Sequence, residues 1–267
     1  MGNFLASFKF CSLSVLNFRI QDELKRKLIT EDDFPWEIPS SSSSVDFGDG
    51  GERKEGLKYV GGVDISFLKE DPSIACGTLV VLELDSLNVV YDDFSVDMLH
   101  IPYVPGFLAF REVPILLKLL EKMKKNAHPF YPQLLMVDGN GILHPRGFGL
   151  ACHLGVMADL PTIGIGKNLH HVEGLNHSEV RDQLDAGDDK QSVYLYGNSG
   201  HTLGVAMRST LGALKPIFLS IGHRISLTTA MKVVKMTCNY RVPEPIRQAD
   251  LRSREYLRKH PFVPQCL

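Results

Sequence analysis

The sequence predicts an α/β fold: a mixed sheet that begins as an antiparallel meander and carries helices on both faces. Three observations predict it. Three apolar runs rich in β-branched residues succeed one another through short connections between residues 58 and 94. Beyond them, helix-like and strand-like stretches alternate. The later strand-like stretches are also apolar without interruption, as in strands covered on both sides.

In chain order, LNFRIQDELKRKL (16–28) places Ile20, Leu24 and Leu28 one helical turn apart with charges opposite, which predicts an amphipathic helix. The serines at 40–44 and DFGDGGERKEG (46–56) predict a flexible loop, an insertion rather than a domain boundary. The meander strands are KYVGGVDISF (58–67), IACGTLVVLEL (74–84) and, after a tight turn at Asp85-Ser86, LNVVYDDF (87–94). FREVPILLKLLEKMKK (110–125) predicts a helix with Glu112 and Pro114 in its first turn. QLLMVDG (133–139) and TIGIGK (162–167) predict buried strands on either side of a helix over 147–160. TLGVAMRS (202–209) and KPIFLSIGH (215–223) predict further strands, and 226–238 and 244–260 closing helices. No internal repeat is visible. One domain is expected over 1–267: helix and loop at 1–57, a core at 58–255 and a tail at 256–267.

Composition narrows the function. A formal net charge of −2 argues against binding nucleic acid by bulk electrostatics alone, although a local patch or bound cations can supply positive charge. Cys11, Cys76, Cys152, Cys238 and Cys266 are odd in number and widely spaced, without a CxxC. A disulfide scaffold or a cysteine zinc site is therefore not expected, and a reducing compartment is. No apolar run is long enough to span a membrane, so no membrane partner is expected. The first residues carry Lys9 and Arg19 and no acid before Asp22, a minor mitochondrial-targeting pattern. An amphipathic segment packed on the domain is the preferred expectation.

Three acids stand at informative places. Asp64 interrupts an apolar strand, Glu112 opens a helix and Asp138 ends a buried strand at DGNG. Each has an ordinary explanation: an ion pair for Asp64, the helix dipole for Glu112, a turn for Asp138. Taken together, convergent carboxylates suit Mg²⁺ or Mn²⁺, and paired ions of that kind clamp a phosphodiester. Lys167 at a strand end is in position to reach a phosphate, or is simply solvated. His223 in SIGH is either a structural hydrogen bonder or a ligand. In PYVPGFLAFRE (102–112), Tyr103 lies between Pro102 and Pro105, which stiffen the chain around an aromatic ring.

These pieces, in this order, resemble the endonuclease V family, in its eukaryotic form. The resemblance rests on YVGGVDISF, PYVPGFLAFRE, VDGNGILHPRGFGLACHLG, PTIGIGK and SIGHRISL, and runs from about residue 58 to 255. It implies a ribonuclease-H-like fold and metal-dependent hydrolysis of the second phosphodiester 3′ to hypoxanthine, leaving a 3′-hydroxyl and a 5′-phosphate. By motif, Asp64, Glu112 and Asp138 become metal ligands and His223 a further active-site residue. Lys167 meets the backbone near the scissile phosphate. Tyr103 becomes a wedge that fills the gap left by the extruded base. Gly106, Leu108, Gly139, Gly149 and Leu150 fall where the family lines its base pocket.

The Ser-rich loop, the C-terminal extension and stretches such as RQADLRSRE mark the eukaryotic form, for which the resemblance implies single-stranded inosine-containing RNA rather than the DNA associated with bacterial members. Arg241, Arg247, Arg252, Arg254, Arg258 and Lys259 form a candidate strand track. A monomer in the cytoplasm or nucleus, including the nucleolus, is expected. Competing expectations are a DNA-repair endonuclease, a silent reader of inosine RNA, a base-indifferent nuclease of the same fold, and a small-molecule enzyme. The last is weak, since no GxGxxG follows the first strand.

Overall fold

Residue periodicity decides which side of the sheet each side chain faces, and β6 (Leu134–Asp138) shows it most simply. Leu134 and Met136 join one apolar cluster, whereas Leu135 and Val137 join another on the opposite face. A computed structural model describes residues 16–39, 55–99, 104–186, 191–210 and 212–260. The predicted wedge residues Pro102 and Tyr103, the serine run and both chain ends lie outside them.

After helix α1 (16–25) and a short parallel pair, β1 (Trp36–Glu37) with β2 (Glu55–Gly56), comes the meander: β3 (Tyr59–Phe67), β4 (Ile74–Glu83) and β5 (Val89–Met98). α2 (Leu108–Lys125) leads to β6, and α3 (Leu150–Ala158) to β7 (Thr162–Gly166). α4 (His177–Asp185), β8 (Ser192–Tyr196), β9 (Thr202–Met207), β10 (Ile217–His223), α5 (Leu227–Met236) and α6 (Glu244–Lys259) follow. The eight strands of the main sheet run β5-β4-β3-β6-β7-β10-β9-β8. β3, β6 and β7 are mutually parallel at the centre, and antiparallel strands flank them. This is the predicted mixed sheet with its meander.

α2 and α3 cover one face through Val113, Leu116, Leu120, Ala151 and Leu154, packed on Val63, Leu79 and Val137. α5 and the start of α6 cover the other through Ala230, Val233, Val234 and Ile246. Full burial of such side chains contributes about 1.5–3 kcal/mol each. α1 docks by Ile20 and Leu24 against Phe148 and Cys152.

Three expectations are corrected. α2 begins two residues earlier than the pattern predicts, because Gly106, at φ +82, turns the chain and Phe107 serves as the N-cap. Glu112 therefore lies in the second turn, and Pro114 is interior. α3 begins later than predicted, at Leu150, since Gly147 at φ +60 and the extended Gly149 hold the preceding residues out of the helix. α4 and β8 were not predicted: α4 buries only Val180 and Leu184, too few for a visible stripe.

Candidate active site

The parallel ladder of β3 and β6 pairs Val60 through Val63 with Leu134 through Val137, so the next pair outward is Asp64 beside Asp138. Parallel neighbours stand about 4.8 Å apart, close enough for the charge on one carboxyl to raise the pKa of the other, as Asp138 does for Asp64. A third acid comes from α6. Its first turn crosses β3 at Gly62, where a Cβ would come within 2.0 Å of the Pro245 carbonyl oxygen. Only glycine permits that approach. Two turns later Ser253 donates to Asp64 Oδ2 at 3.1 Å, and Ser66 meets the Ser253 hydroxyl at 2.7 Å. Asp250, one turn before Ser253, adds its negative charge to the same place. Glu112 supplies a fourth charge from α2.

Asp64 and Glu112 are 8% and 6% exposed, and this burial controls their chemistry. Loss of water, then the charge of Asp138 and a hydrogen bond to it, with Asp250 beyond, push Asp64 up to about 7 against the partial relief of Lys167. Burial first, then Asp64, push Glu112 up to about 7 as well. Lys167, at the end of β7, donates to Asp138 Oδ2 at 2.5 Å. Burial alone would lower its pKa, but the bond to Asp138 and the surrounding acids outweigh that, and the net shift is upward.

The predicted residues do not all gather here. Asp64, Asp138, Glu112 and Lys167 do. His223 does not: it pairs with Thr162, which pairs with Leu135, three residues from Asp138 along β6. That places it about 10 Å down the sheet and two strands across. Its Nδ1 accepts the backbone N–H of Ile29 at 3.2 Å. Gly139 and Leu150 are neighbours, since a Cβ on Gly139 would lie 3.2 Å from the Leu150 Cβ. Gly149 caps α3 beside them, while Pro105, Gly106 and the part-exposed Leu108 precede or open α2.

The basic track is also revised. Arg241 donates to the carbonyls of Lys167 and Pro216. Arg247, Arg252, Arg254 and Lys259 pair with Glu244, Asp92, Asp250 and Glu255. Much of that positive charge is spent on local acids. The residue that sequence reasoning missed is Asp250. An Asp four residues before Arg254 looks like an ordinary surface ion pair. Only its place one turn from the buried Ser253, on a face shared with Ala249 and Leu257, could have marked it.

Lys167 on Asp138, Arg254 on Asp250 and Arg111 near Glu112 offset part of the charge of the four carboxylates but not all of it, and that imbalance bears on whether a metal fits. Hard oxygen donors with excess negative charge suit a divalent cation such as Mg²⁺. Among the described residues, no three His, Cys, Asp or Glu side chains converge on one point as a closed ion site. The donor chemistry fits; the closed arrangement is not formed.

Residues 42–251 match the family model described as Endonuclease V. The mouse protein named Endonuclease V is 46% identical over 243 residues, 90% of this chain and 68% of its own. The human one is 44% identical over 250 residues, 92% of this chain and 84% of its own. A crystal structure of the human catalytic domain superposes with a TM-score of 0.82 at 41% identity, covering 93% of this chain and 97% of that one. A structure of the Ciona intestinalis enzyme matches with a TM-score of 0.81 at 33% identity, covering 93% and 98%; it holds a 23mer DNA with an inosine followed by a ribo-adenosine. Fold and relatives together define a nuclease of ribonuclease-H-like architecture. The chain belongs to the Endonuclease V family.

Proposed function

We propose that this protein is a Mg²⁺-dependent endonuclease, Mn²⁺ substituting, that hydrolyses the second phosphodiester 3′ to inosine in single-stranded RNA. The products carry a 3′-hydroxyl and a 5′-phosphate. The observation that supports it best is the pairing of Asp64 with Asp138 at the end of the β3–β6 ladder, with Glu112 and Asp250 adding charge.

Asp64, Asp138, Glu112 and Asp250 would hold the cation, which when bound supplies Lewis acidity for water and screens phosphate charge. The remaining work belongs to the chain. Lys167 offers an ammonium to the scissile backbone. Ser253 and Ser66 orient the Asp64 carboxylate. Gly139, Gly149, Leu150, Gly106 and Leu108 line the slot for the extruded base. Hypoxanthine has an O6 where adenine has an amine and lacks the exocyclic amine of guanine. A main-chain N–H donating to O6 in a close-fitting slot therefore selects it. Tyr103, stiffened by Pro102 and Pro105, stacks into the gap at about 1–3 kcal/mol, enough to hold register but not to choose a base. RNA is favoured by the sequence features noted above, and by the ribonucleotide that follows inosine in the Ciona complex.

Matched single-stranded RNA and DNA oligonucleotides, each with one inosine or one adenosine, should be incubated with Mg²⁺ or chelator. Cleavage of the inosine RNA, dependent on Mg²⁺ and abolished in Asp250→Asn, is expected. Equal cutting of adenosine and inosine strands would refute the base selectivity. Faster cutting of DNA would replace RNA with a repair substrate.

A further inference from the structure

We infer that Gln21 is a positioning residue for base selection: its amide group ties together the two loops that form opposite rims of the base slot. The inference rests on the slot proposed above. Gln21 is 1% exposed, on the face of α1 turned toward the domain. Its Nε2 donates to the Gly106 carbonyl at 3.2 Å and to the Phe148 carbonyl at 3.0 Å. Gly106 belongs to the rim that enters α2, and Phe148 directly precedes Gly149 and Leu150 on the other rim. A primary amide has two N–H donors, and here each rim receives one.

The orientation of the amide is fixed chemically. Arg146 Nε can only donate, and it donates to Gln21 Oε1, so the nitrogen must face the two carbonyls. Arg146 is itself clamped. Its Nη2 meets Asp22 Oδ1 at 2.7 Å, and its backbone carbonyl accepts from Lys25 Nζ at 2.8 Å. Its guanidinium lies 4.2 Å from the Phe18 ring centroid and 5.6 Å from that of Phe107, the residue after Gly106. Phe18 meets Phe107 edge-on at 4.7 Å. Thus α1 contacts both rims by hydrogen bonds and by stacking, and with Gln21 in place neither rim can move alone. The slot's width is what separates hypoxanthine from guanine with its additional amine. Gln21 therefore sets selectivity without touching the base.

The test uses Gln21→Met, which keeps the stem and removes both donors, and Gln21→Glu, which keeps an acceptor for Arg146 and removes the donors. Binding of fluorescent RNA strands carrying inosine or guanosine is measured by anisotropy in chelator, beside the melting temperature. In both variants the inosine-to-guanosine affinity ratio should fall about tenfold, the scale of losing a buried hydrogen bond, because a loosened slot holds hypoxanthine less closely and no longer excludes the guanine amine. A lowered melting temperature with an unchanged ratio in either folded variant would reduce Gln21 to a structural residue and sink the inference alone. A wild type that fails to distinguish the strands would remove the slot itself, and the inference with it.

Discussion

Asp64 is held by two opposing demands. The proposed role as a cation ligand requires it ionised, yet burial beside Asp138 raises its folded pKa to about 7 from 3.8. The sign follows from linkage: a carboxyl whose folded pKa is raised binds its proton more tightly in the folded state. Its contribution is full below about pH 4 and is lost as pH rises toward 7. Asp64→Asn removes that dependence. The metal-free variant should be more stable than the parent by a margin that widens from pH 4 to pH 7, while cleavage is abolished. Each kcal/mol moves the midpoint by about 2–4 °C in a chain of this size. Calorimetry in chelator at pH 5 and pH 8 checks it; a margin equal at both would show that the burial is not strained. At this scale the sequence was largely legible. A charged residue inside YVGGVDISF is conspicuous because burial makes it costly. Asp250 was not legible, because a helix surface rich in Arg and Glu offers several equivalent explanations for one acid.

Among the elements, α6 carries the most consequence. It packs Ala249 on Val80 and Leu82, crosses β3 at Gly62 and brings Ser253 and Asp250 to Asp64. Gly62→Ala should displace the start of α6, cost at least about 1–3 kcal/mol and lower turnover more than substrate affinity. Gly56→Ala is the control, since a Cβ there meets nothing within 4 Å. Normal stability and turnover in Gly62→Ala would show that α6 is freely adjustable. The continuous apolar runs of β3 and β4 and the helical spacing of apolar residues in α2 and α6 made those elements readable. What escaped was set by tertiary contact. The start of α2 depends on the positive φ of Gly106, and α4 on two apolar residues docked against β8 and β9. The distance of His223 from the acids could not be read, because strand register is a pairwise property that one strand's sequence does not contain.

Across the whole molecule, titrating groups oppose one another. Between about pH 4 and 7 the raised carboxyls of Asp64 and Glu112 lose stability as pH rises. Over the same range His144 and His153, both lowered to about 4 from 6.5 chiefly by burial, gain it. A depressed imidazole pKa means that the unfolded chain takes the proton first. The two effects offset, so stability should be nearly level there. Buried thiols govern the alkaline side. Burial raises Cys76 to about 11 and Cys152 and Cys238 to about 12, from 9.0. Stability should therefore fall as pH climbs above about 9. A melting temperature constant up to pH 10.5 in reducing buffer would contradict this.

The contacts that complete the site join distant parts of the chain. Gln21 meets Phe148 across 127 residues, and Asp64 meets Ser253 across 189. During synthesis at the ribosome, the acids on β3 and β6 emerge long before α6 can reach them, and α1 waits with its apolar face uncovered until the 148 loop appears. A chain that stops before α6 therefore lacks Asp250 and Ser253, and one that stops before residue 148 also lacks the Gln21 tie. The acids of the site are thus brought together only after α6 has been made, so the site is completed late in synthesis.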